Sequence, residues 1–108
     1  MTKPELMKLL DQMVEEETVT RDGKGKEYTK GDEDQLANFK SYAKALGLSP
    51  KLIWAVYAGK HFDAIVSYCK DSKTYSGEDI RGRIMDLRVY LWLLRGMVEE
   101  EMGSAIVY

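Results

Sequence analysis

The chain has 108 residues, with 16 Lys and Arg against 18 Asp and Glu, one His, one Cys, and 44% hydrophobic and 31% charged residues. This length fits one domain and leaves no room for a second. A net charge of −2 argues against broad binding to nucleic-acid backbones, which requires clustered cations, so no direct DNA or RNA duplex binding is expected. Cys69 has no partner for an intramolecular disulfide and only His61 beside it for a structural zinc site, which suits a reducing, intracellular setting. No secretion-type apolar core opens the chain, and no segment reaches the roughly 20 apolar residues of a membrane span. The expected protein is cytoplasmic, without a membrane partner. A domain this small buries only about two thirds of its unfolded surface, which makes a homo-oligomer the expectation.

In chain order, Thr2 and Glu5 have capping-box spacing around Pro4, and Leu6, Leu9, Leu10, Met13 and Val14 follow at helical intervals. They predict a first helix over residues 3–17. Glu15, Glu16 and Glu17 oppose the helix dipole at its end. Residues 18–33 are polar and interrupted by Gly23, Gly25 and Gly31, and read as a long Gly- and Lys-containing loop, a length often functional in a small domain.

Residues 34–102 read as the helical core. A second helix over 34–46 buries Leu36, Phe39, Ala43 and Leu46 and stops at Gly47. Ser49-Pro50 restarts the chain in cap and first-turn positions. The third helix, to about Cys69, is apolar over a wide arc: Leu52, Val56, Phe62, Val66 and Cys69 on one side, and Ile53, Trp54, Tyr57 and Ile65 beside it. Such breadth predicts packing on more than one neighbour. Ser76 and Asp79 again have capping-box spacing. They precede a seam of Ile80, Ile84, Leu87, Leu91, Leu94 and Val98 with spacings of four and three, as helix-on-helix packing requires. Residues 103–108 form an apolar tail. No internal repeat or low-complexity stretch is present. The expected fold is all-α, a compact bundle of about four helices.

Beside that seam, Asp79, Arg83, Asp86 and Tyr90 share one helix face. They form either a ladder of intrahelical ion pairs or one wall of a site. Tyr57, Lys60, His61 and Asp63 lie on the third helix, where His61 and Asp63 point about 200° apart and only Lys60 and Asp63 share a face. Asp63, Glu78 and Asp86 are enough carboxylates to hold a magnesium ion, the one cofactor the sequence allows for without requiring. Cys69 has no His nearby in sequence and no nucleophile motif around it, so burial is expected. Gly23-Lys24-Gly25-Lys26 lacks the spacing of a P-loop but supplies backbone N–H groups and two ammonium groups suited to a phosphate.

Three stretches taken together resemble small phage and prophage proteins that are similar to the first nucleotide modification associated domain family. The first is Lys24-Gly25-Lys26-Glu27-Tyr28 followed by Asp32 to Phe39. The second runs from Leu46-Gly47-Leu48-Ser49-Pro50 through Trp54-Ala55-Val56-Tyr57 to Lys60-His61-Phe62-Asp63. The third is Gly77-Glu78-Asp79-Ile80-Arg81-Gly82-Arg83-Ile84-Met85-Asp86 with Tyr90-Leu91. The resemblance covers roughly residues 24–101 and implies an all-helical phage protein with a nucleotide-type ligand. Lys24, Tyr28, Asn38, Lys60, His61, Asp63, Glu78, Arg83 and Asp86 carry over as its polar positions. Glu27 and Val89 stand where the family pattern has Asp and Asn, and the lost amide at Val89 favours binding over turnover.

The expected ligand set is Lys24, Lys26, Lys60 and Arg83 for phosphate, Tyr28, Tyr57 and Trp54 for a base, and Asn38, His61, Asp86 and Tyr90 for orientation. The expected function is capture of a nucleotide or nucleotide-like signal, in phage nucleotide metabolism or host-defence evasion. Two alternatives stand beside it: an anti-CRISPR or other inhibitor binding a host defence protein, and a magnesium-dependent nucleotide pyrophosphatase.

Overall fold

The computed structural model describes residues 1–29 (backbone alone for 20–29), 34, 36–74 and 77–103. Four helices account for nearly all of them: α1 (Lys3–Thr29), α2 (Ala37–Leu46), α3 (Pro50–Asp71) and α4 (Ile80–Met102). The described residues contain no strand, and the architecture is the all-α bundle that the periodicity predicts.

α1 opens as its sequence dictates. The Thr2 N–H donates to Glu5 Oε2 at 2.9 Å and the Glu5 N–H to Thr2 Oγ1 at 3.3 Å, a reciprocal capping box. The helix then runs on to Thr29, past the expected end at residue 17. Two glycines inside it cost about 1 kcal/mol each relative to alanine. Packing against α4 at Glu17 and Met13 secures the turn where the acidic run predicts fraying. Residues 30–33 of the expected loop, Ser76 of the expected α4 cap and the 104–108 tail lie outside the described residues.

α2 starts at Ala37, capped from outside by Asp34, whose Oδ1 accepts the Leu36 N–H at 2.9 Å. Asp34 Oδ2 also takes Lys40 Nζ at 2.5 Å. Lys40 in turn reaches Glu100 on α4. α2 ends at Gly47 in the left-handed conformation (φ 67°), which an L side chain rarely adopts. Ser49 caps α3 by accepting the Leu52 N–H at 3.3 Å, with Pro50 in the first turn. Asp79 caps α4 by accepting the Arg81 N–H.

α3 packs on α4 and α2, and α1 closes the ring against α4 and α2. α3 and α4 are antiparallel. Lys51 at the start of α3 bridges Glu101 at the end of α4, and His61 meets Asp86 one and a half turns into α4. The core between the helices is Leu36, Phe39, Ala43, Ile53, Ala58, Tyr90 and Met97, with Trp54, Tyr57, Leu87 and Leu93 against it. The Trp54 Nε1–H spans α3 and α4 to donate to the Tyr90 carbonyl at 2.5 Å.

Several core expectations are corrected. Leu46 is 63% exposed, because Gly47 turns the chain away before the helix end reaches a neighbour. On α3 the face bearing Ile53, Ala58 and Tyr57 turns inward, whereas Leu52, Val56, Phe62, Val66 and Cys69 face outward. On α4 the fully buried side chains are Val89, Tyr90 and Met97, one step around the helix from the expected seam, and Ile84 and Leu91 are exposed. Among the described residues no helix is long and apolar enough to cross a membrane.

Candidate functional site

α3 turns His61 inward one turn beyond Tyr57. The register that buries Ile53, Tyr57 and Ala58 carries His61 with it at i+4 from Tyr57 and i+3 from Ala58. Across the interface α4 presents Asp86 and Tyr90, also four apart. His61 Nδ1 lies 3.9 Å from Asp86 Oδ2, and both side chains are about four-fifths buried. The imidazole leans on the Tyr90 ring with centroids 5.1 Å apart. Tyr90 and Tyr57 both meet the edge of Phe39 at 6.2 to 6.3 Å. Lys60 Nζ stands over the Tyr57 ring at 5.8 Å from its centroid. The structure therefore brings three of the expected ligand residues, His61, Asp86 and Tyr90, into direct contact across two neighbouring helices, while Tyr57, with Lys60 beside it, is linked to Tyr90 through Phe39 of α2. Binding sites in helix bundles are built this way, from side chains on facing helices.

The row of Asp79, Arg83, Asp86 and Tyr90 has two readings, and the ion pairs seen among the described residues run to partners outside the row. Asp79 is taken by Arg81, whose Nη2 lies 2.6 Å from its Oδ2. The Arg81 guanidinium and backbone N–H together hold the Asp79 carboxyl down at about 2. Arg83 pairs with Glu78 at 2.8 Å. Asp63 is exposed on the outer side of α3, as its 200° offset from His61 requires. Among the described residues no three His, Cys, Asp or Glu side chains gather around a common point for a metal. The expected magnesium set is thus dispersed: Asp63 points outward, Glu78 is held by Arg83, and Asp86 faces His61.

A second polar feature lies between α1 and α4. Glu17 is completely buried, with Arg88 Nε 2.5 Å from its Oε1, and Arg88 Nη1 also reaches Met13 Sδ at 3.6 Å. Among the described residues neither Glu17 oxygen has a hydrogen-bond partner, and neither does buried Asn38 Oδ1 on α2. Buried acceptors left in this state cost about 1–3 kcal/mol each, so they mark places where a donor is wanted. Sequence reasoning passed over Glu17 and Arg88. The signal was present, since Glu17 falls at i+7 and i+4 from Leu10 and Met13, in the apolar register of α1.

Lys24, Lys26 and Tyr28 lie outside the described side chains. A cavity of about 350 Å³ lies elsewhere, between the α3 start and the α4 end, lined by Lys40, Ser49, Lys51, Met97 and Glu100 among others. Its cations are already engaged, Lys40 by Asp34 and Glu100 and Lys51 by Glu101.

No family model, no curated protein and no solved structure matches the chain.

Proposed function

We propose that this chain is a small-molecule-binding helical bundle that captures a nucleotide-type ligand without turning it over. The observation that carries the reading is the polar content of the bundle interior. Glu17 Oε2 and Asn38 Oδ1 are buried acceptors with no hydrogen-bond partner among the described residues, while Arg88 pairs with Glu17 Oε1. An imidazole, a carboxylate and the Tyr90 ring also meet between α3 and α4, with the Tyr57 ring on the far side of Phe39. Exocyclic amines and ribose hydroxyls supply the missing donors, aromatic faces suit a base, and Lys60 supplies a cation at the edge for phosphate. The resemblance of its three motifs to small phage proteins of largely unassigned role, themselves similar to the first nucleotide modification associated domain family, points to the same reading, and on it the setting is phage nucleotide metabolism or evasion of a nucleotide-signalled defence. Capture is favoured over hydrolysis because the carboxylates a magnesium ion would need are dispersed.

Thermal denaturation with a panel of nucleosides and mono-, di-, tri- and cyclic nucleotides, with and without Mg2+, tests this. A ligand present at 100 times its Kd stabilises the folded state by about 2.7 kcal/mol. At least one member is expected to raise Tm in the wild type and to do so less in His61→Ala and Asp86→Asn. A flat response across the panel contradicts the proposal.

A further inference from the structure

The apolar side of α3 that the bundle does not use is ordered. Leu52, Ala55, Gly59, Phe62, Val66 and Cys69 follow one another at spacings of three and four, the a/d pattern of a helix seam, and none is charged. Leu52 is 54% exposed, Phe62 55% and the flanking Val56 61%. α4 carries a parallel feature, its a/d seam from Ile80 to Val98, of which Leu91 is 48% exposed. At about 100° per residue, the outward stripe of α3 lies just beyond its α4-facing residues Trp54 and His61. The α4 stripe lies likewise just beyond its α3-facing residues Asp86 and Tyr90. In an antiparallel pair both offsets turn to the same side, so the two stripes form one apolar surface on the outside of the bundle.

We propose that this face is a two-fold interface with a second copy of the chain, in which α3 packs antiparallel on its counterpart about a centre midway between residues 59 and 62. An isologous contact requires a surface complementary to itself, and this stripe meets the requirement position by position. About that centre Phe62 faces the partner's Gly59, Val66 faces the partner's Ala55, and Leu52 faces the partner's Cys69, a large side chain against a small one each time. Gly59 is the hole for the largest knob, since a Cβ placed there meets nothing within 4 Å. Ile84 and Leu91, the exposed members of the α4 seam, then flank the α3 pair on either side. The inference is independent of the ligand reading above.

Light scattering on the full chain at tens of micromolar is expected to give twice the 12.4 kDa chain mass. Gly59→Glu is expected to give the monomer with helix content unchanged, because the position is open in the single chain and glutamate is a better helix former than glycine. Leu52→Cys is expected to form a disulfide-linked dimer through Cys69 on mild oxidation, lost again when Cys69→Ser is added. A monomeric wild type overturns the proposal, as does a dimer that Gly59→Glu leaves intact. Efficient oxidation of the wild type through Cys69 alone overturns the antiparallel register.

Discussion

Glu17 is the residue on which the interior depends most. A carboxylate with no exposure and one guanidinium neighbour is costly to keep, and breaking such a pair from one side costs about 3–5 kcal/mol because the remaining charge stays buried. Arg88→Ala is therefore expected to lower the urea-derived stability by about 3 kcal/mol. Replacing both residues by methionine is expected to restore most of it. A loss below 1 kcal/mol for Arg88→Ala would contradict the pairing. Asp79 gives the pH dependence. Its carboxyl is held at about 2 by Arg81 and the α4 cap, so this contribution to stability is complete above about pH 4, the unfolded value. It is lost as pH falls through 2. Asp34, lowered by its hydrogen bond to Lys40, acts in the same direction. Acid titration of the wild type against Asp79→Asn is expected to show a smaller drop in Tm between pH 4 and 2 for the variant. Equal drops would contradict it.

At the level of elements, the stop and start signals were legible because they are local. Thr2 with Glu5, Gly47 and Ser49-Pro50 each act within a turn, and the structure places a cap or a stop at every one, whereas Asp79, read as the acidic partner of a Ser76 cap, is itself the α4 cap. Ser72 is the exception in chemistry: it closes α3 in the left-handed region at φ 58° without being glycine. Ser72→Gly is expected to stabilise the chain by about 1 kcal/mol, read as a rise in Tm, and a fall would show that the serine side chain earns its place there. The length of α1 was not legible, because two glycines and an acidic run argue for a stop, and the contact with α4 at Glu17 secures the helix only that far. Nor was the inward face of α3, since Leu52, Val56 and Phe62 are as apolar as Ile53, Tyr57 and Ala58. Periodicity finds stripes but does not say which stripe meets its own chain.

For the molecule as a whole, the candidate site was half legible. Asp86 and Tyr90 were found by spacing and His61 through the resemblance, and their meeting across α3 and α4 follows from an antiparallel pair with a short connection. Asp79 and Arg83 stood in the same row and were drawn off by Arg81 and Glu78, neighbours that a single-face reading of the helix ignores. Glu17 was hidden because an acidic residue in an apolar register reads as part of a charged run. On the function proposed above, these interior polar groups are the ligand's partners, and a bundle destabilised by them is expected to regain stability when a ligand supplies the donors. Titration of the 15N-labelled protein with the nucleotide panel, followed by backbone and imidazole NMR shifts, measures this most directly. Saturable shifts centred on His61, Asp86, Tyr90 and the turns around Glu17 and Asn38, diminished in Asp86→Asn, are the predicted result; no saturable shift at those residues with any nucleotide would contradict it.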